Sequence, residues 1–137
     1  MKWFIADLHC GHSRVLIGPR GDAFPTLDLW HEHIFGEINR LVGKSDTLYM
    51  LGDFCMKDAP LWRNKIKCRD AWLIIGNHDP SLAQCELAFG KGRARITYET
   101  KILDVPCFLS HYPHAFWPKS HRLSMHLAGH CHDMRED

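Results

Sequence analysis

Apolar positions along the chain follow two different periods. Residues 2–6, 47–51 and 71–75, apolar throughout after Lys2 and Thr47, have the length and the aromatic and aliphatic content of strands covered on both faces. Between the first two, Leu27, Trp30, Ile34, Ile38 and Leu41 recur at steps of three and four, which predicts an amphipathic helix. Thr26 or Asp28 can cap its first turn, and Gly43 is placed to end it. Shorter helices are predicted over residues 60–67 and 81–89, the second broken by Gly90-Lys91-Gly92. Residues 95–103 and 105–110 predict two strands about a turn at Asp104, and residues 124–128 a last strand. The glycines and prolines within residues 10–26 and 112–123 predict loops. Strands alternate with helices in the first half, so the expected fold class is α/β with parallel strands there and mixed pairing after it. The 137 residues contain no repeat or linker-like stretch and read as a single domain, 1–137.

Polar residues interrupt this pattern in one kind of place, just past the predicted strand ends. Asp7-Leu8-His9 follows the first strand, Gly52-Asp53 the second and Gly76-Asn77-His78-Asp79 the third. His111 follows the run ending at Ser110, and Gly129-His130-Cys131-His132 follows the last. Open α/β sheets form their sites at such ends. If strand geometry persists, Asp7 and His9 project to one face and reach one cation. Asp53 either caps a helix or binds metal, and a carboxylate has two oxygens with which to bridge two cations. Asn77 offers a neutral oxygen, and His78 offers a proton donor near neutral pH. Asp79 is placed to hold the His78 ring through one nitrogen. Carboxylate and imidazole ligands together suit manganese, iron, zinc or nickel better than magnesium or calcium.

Composition narrows the function classes. Seventeen basic against sixteen acidic residues give a net charge of +1, which offers no electrostatic case for a nucleic-acid or membrane-surface partner. No apolar stretch has the length of a bilayer span, and the opening run is too short for an export signal. The six cysteines include no C-x-x-C pair. They read as reduced thiols of a cytoplasmic protein, with Cys10, Cys55 and Cys131 packing behind the motifs rather than ligating. Histidine is the outlier: five of the eleven fall inside the motifs.

The ordered set D-x-H, G-D, G-N-H-D, H and G-H-x-H resembles the signature of the calcineurin-like metallophosphoesterase superfamily, in particular its small bacterial and phage phosphoesterases. The likeness spans residues 5–132. It implies two mixed β-sheets packed as a sandwich and flanked by helices. It implies two divalent metal ions, manganese first, with iron, zinc or nickel as alternatives. Asp7, His9 and His132 would hold one ion, Asn77, His111 and His130 the other, and Asp53 would bridge them. The implied activity is hydrolysis of a small phosphomonoester or phosphodiester by a metal-bridging hydroxide, with His78 as general acid positioned by Asp79.

His12 and Arg14, on the following loop, are candidates to meet the phosphate. Set against this activity are a catalytically inactive metal-binding scaffold of the same fold and a nuclease on oligonucleotide ends. Few residues follow the last motif, whereas the family usually continues into further strand. The expectation is therefore a minimal, C-terminally short form that could cover its open edge as a homo-oligomer.

Overall fold

The computed structural model describes residues 1–17 and 19–131. Four parallel strands, β1 (Lys2–Ile5), β2 (Thr47–Met50), β3 (Asp70–Ile74) and β4 (Ala94–Arg95), form the first sheet in their sequence order. Parallel neighbours need crossovers. These contain α1 (Pro19–Ala23) and α2 (Leu27–Leu41), then α3 (Ala59–Arg63), then α4 (Leu82–Phe89). A strand order that never reverses, with crossovers of one hand, brings the helices to one face.

Burial agrees with that layering. Leu48, Met50, Ala71 and Leu73 pack with Phe35, Ile38, Cys85 and Phe89 from the helices. Their alternates Tyr49, Leu51 and Ile74 pack with Cys107 and Leu109 on the opposite side. Both faces are covered, so the strands read as unbroken apolar runs while keeping a two-residue period.

The second sheet supplies that opposite side. β5 (Thr97–Ile102) and β6 (Val105–Ser110) form an antiparallel hairpin, and β7 (Met125–Leu127) runs parallel to β6. Leu103 and Asp104 turn the hairpin with φ of 48° and 65°, both left-handed, as a tight two-residue connection requires. Stacked rings join the sheets: Trp72 lies 4.7 Å from Tyr98, and Tyr49 lies 6.1 Å from Tyr98.

The α/β class and the two-sheet sandwich with helices are therefore observed, with five corrections. Only the second sheet is mixed; the first is parallel throughout its described strands. Among the described residues α-helices cover one outer face only. Over the second sheet lies the loop after β6, whose His114 and Trp117 rings pack on Phe108 and His126. Residues 95–103 are not one strand: the chain leaves the first sheet at Arg95, exposes Ile96, and enters the second at Thr97. The loop over residues 10–26 holds a 3-10 turn (Ser13–Leu16) and α1, and the third helix ends at Arg63 rather than Lys67. Among the described residues no helix is long and apolar enough to cross a membrane.

Candidate metal centre

The turns after β1, β2, β3, β6 and β7 meet at one corner of the sandwich. They get there by leaving strand geometry. Asp7, His9, Asp53 and His130 have φ of 55°, 47°, 52° and 70°. Left-handed backbone in non-glycine residues is uncommon, and it concentrates where structure around a site enforces it. The expectation that Asp7 and His9 project together from a continuing strand is thus corrected: β1 ends at Ile5, and two left-handed kinks aim the side chains.

Glycines make room for this arrangement. A Cβ on Gly52 would lie 2.2 Å from His111 Nδ1, on Gly76 2.3 Å from Asp53 Oδ1, and on Gly129 2.6 Å from the Leu51 carbonyl. Gly52 also needs its φ of 90°. Gly76 is required for space rather than for a left-handed backbone angle.

Two sets of ligand atoms converge here, each within 4.8 Å of one another: Asp7, His9 and Asp53, and Asp53, His111 and His130. Asp53 belongs to both. Its Oδ1 accepts from His78 N at 2.9 Å, while its Oδ2 lies 3.7 Å from His9 Nε2 and 3.5 Å from His111 Nε2.

His111 is buried, and its Nδ1 faces the Leu51 carbonyl at 2.9 Å. That carbonyl can only accept, so Nδ1 carries the proton. In the neutral ring Nε2 is then a lone pair. Around it stand Asn77 Oδ1 at 3.1 Å, His130 Nδ1 at 3.2 Å and the Asp53 oxygen. The Asn77 oxygen and the Asp53 carboxylate are acceptors, and with the His130 proton on Nε2 its Nδ1 is a third; a cation among them would satisfy all of these atoms, so the donor set fits a metal. The Asp7 carboxylate accepts from His130 N at 3.0 and 3.2 Å, joining the first motif to the last.

Asp79 departs from its expected role. Oδ1 accepts from Phe54 N at 2.8 Å and Cys55 N at 3.1 Å, and Oδ2 from Gly76 N at 2.8 Å and Asp53 N at 2.9 Å. Four backbone donors occupy both oxygens, so Asp79 clamps the second motif to the third and does not hold the His78 ring. Burial first, and the nearby Asp53 carboxylate, push its carboxyl above the usual carboxylate range although the N–H donors pull it down.

His78 is exposed at the cleft, its ring edge-on to His9 at 5.3 Å, with no hydrogen-bond partner for its ring nitrogens among the described residues. His12 is half-buried, its ring 6.4 Å from that of His9. Arg14 is exposed on the 3-10 turn, and no described contact joins it to the ligands. His132 lies outside the described residues.

Cys10, Cys55 and Cys85 are buried beneath the site. Burial raises all three thiols, Cys55 and Cys85 to about 12, and no cysteine joins the candidate ligand groups among the described residues. Cys131 is exposed.

Three contributors carry little signal in the sequence. The Leu51 carbonyl is invisible in any motif. Gly129 reads as part of a turn. His31, buried on α2, accepts from Gly11 N at 3.2 Å, and its trace is a polar residue within an apolar stripe.

No protein-family model matches the chain. The Gene 66 protein of Mycobacterium phage D29 is 35% identical over 88 residues, a match covering 56% of this chain and 39% of that protein. The chain thus spans less than half of this curated relative. The crystal structure of a protein of unknown function from Aquifex aeolicus superposes with a TM-score of 0.66 at 24% identity, over 90% of this chain and 66% of the other. That likeness concerns the fold alone.

Proposed function

We propose that the chain is a dinuclear-metal-dependent phosphoesterase of the calcineurin-like type, acting on a small phosphomonoester or phosphodiester. One observation carries the reading: two sets of candidate ligand atoms, each within 4.8 Å of one another, share Asp53. Asp7, His9 and Asp53 would hold one divalent cation, with His132 as the further ligand the family resemblance supplies. Asp53, Asn77, His111 and His130 would hold the other. Such a pair supplies an activated water and neutralises phosphate charge.

The chain's own groups do the rest. The Leu51 carbonyl keeps the His111 proton on Nδ1 and leaves Nε2 free to ligate. Asp53 Oδ1 holds the backbone of His78, whose imidazole N–H has no partner among the described residues and is available to the leaving ester oxygen. His12, whose ring lies 6.4 Å from that of His9, would be a second donor.

The test is hydrolysis of p-nitrophenyl phosphate and bis-p-nitrophenyl phosphate by metal-stripped protein, with manganese, nickel, zinc or magnesium restored. Metal-dependent turnover cut by about 10²-fold or more in His78→Ala, and abolished in Asp53→Asn, is the expected result. Folded protein that binds two ions yet hydrolyses neither ester would move the inactive-scaffold reading to the front. Protein that binds no metal would end both.

A further inference from the structure

The turn bearing His9 and His12 is held from two sides. On one, His9 N and Cys10 N donate to the carbonyls of Asp53 and Phe54, each at 2.8 Å. The other side is helical. Gly11 N donates to Nε2 of His31, whose ring packs on Trp62 from α3 at 4.5 Å. Gly11 sits at φ 80°, and a Cβ there would come within 3.2 Å of the Trp62 ring. His12 N donates to His9 O at 3.0 Å, so a shift at Gly11 moves both imidazoles. The ligand turns of Asn77, His111 and His130 make none of these contacts; His111 is braced by Leu51 and by the network in which Ser110 Oγ donates to the Tyr112 carbonyl.

We infer that His31 is a positioning residue for the Gly11 turn, and that it sets the affinity of the cation held by Asp7 and His9 separately from the cation held by Asn77, His111 and His130. The inference rests on the dinuclear reading and adds to it that the two half-sites have separate supports. His31 touches no metal and no substrate. It supplies one acceptor, at Nε2, to a backbone donor two residues from a ligand. Partners bonded directly to metal ligands change metal affinity about 10–100-fold when removed, and His31, one step further out, is expected at the low end of that range.

Glutamine and asparagine separate this from a packing role. Both are polar and smaller than histidine, but the Gln side chain places its oxygen near the position of Nε2, and the Asn side chain ends near Nδ1. Manganese is titrated into metal-free wild type, His31→Gln, His31→Asn and His31→Phe, followed by calorimetry and by loss of the free-ion paramagnetic resonance signal, with urea midpoints measured alongside.

Two manganese ions are expected on the wild type. His31→Asn and His31→Phe should weaken one site by roughly tenfold and leave the other within about twofold, and His31→Gln should restore most of the loss. The effect should persist in Asn77→Ala, which cripples the other half-site. Equal weakening of both sites, unchanged affinities in the Asn variant, or failure of Gln to rescue would overturn the inference. If His31→Phe does not fold, the Gln and Asn pair carries the comparison. A wild type that binds no manganese pair would remove the dinuclear reading, and this inference with it.

Discussion

Replacing Asp79 by asparagine separates a clamp from a catalytic partner. The native carboxylate accepts four backbone N–H groups, two on each oxygen, at 2.8–3.1 Å. Asparagine keeps one oxygen and turns an NH2 toward the other two donors. Two charge-assisted bonds are lost, each worth about 1.5–3 kcal/mol, and two N–H groups lose their acceptor. Against this, the buried charge is itself costly, as the upward push on the Asp79 carboxyl indicates, and its removal returns part of the loss. A net destabilisation of about 2–4 kcal/mol follows, a large part of the roughly 5–15 kcal/mol of a typical domain. Urea unfolding of metal-free protein measures it as a lower midpoint at constant slope. His78→Ala, at an exposed ring, should leave that midpoint within about 0.5 kcal/mol while cutting turnover. The reasoning fails if Asp79→Asn unfolds like the wild type but displaces the pH dependence of kcat, because that is the mark of a group acting on His78.

Three further outcomes are expected. Gly76→Ala would drive a methyl to 2.3 Å from Asp53 Oδ1 and 2.5 Å from Asp53 N, so manganese binding should fall at least tenfold, read by the same titration. Burial lowers the His31 pKa, so the unfolded state takes up that proton first; its contribution to stability is complete above pH about 6.5 and is lost as pH falls through the depressed folded value. Urea midpoints of metal-free wild type should therefore drop between pH 7.5 and 5.5, with a shallower drop in His31→Gln. With a bulky aromatic disulfide reagent, Cys131 should react quickly in the native protein and the five buried thiols only after denaturant is added, counted by released thiolate.

Much of this molecule was legible because local pattern and tertiary place agree. The runs that become β1, β2 and β3, and the stripe that becomes α2 with Thr26 Oγ accepting from Leu29 N, need no long-range information. The strand break at Ile96 was not legible. Arg95-Ile96-Thr97-Tyr98 contains no glycine, proline or polar cluster, and only the separation of the two sheets requires the chain to turn there. The ligand set was readable as residue types after strand ends, but its aim was not. Left-handed backbone at the four candidate ligands Asp7, His9, Asp53 and His130 goes with close approaches between distant segments, such as Gly76 against Asp53. Asp79 was misread for a related reason. Adjacency to His78 suggested a partner, whereas its four donors are main-chain groups that no side-chain motif encodes.

The hydrogen bond from His130 N to Asp7 joins positions 123 residues apart. Few segments of the chain lie outside the loop it closes, so this corner is completed only when both sheets are in place. Loop closure over that length is costly before other contacts form, so this corner is expected to form late in folding and to open early in unfolding. A cation pair recognising only the finished corner would find no foothold on partly folded chains. It would withdraw native molecules from the unfolding equilibrium and slow escape from the folded state, without hastening its formation. Loading would then govern how long the protein lasts as well as what it does.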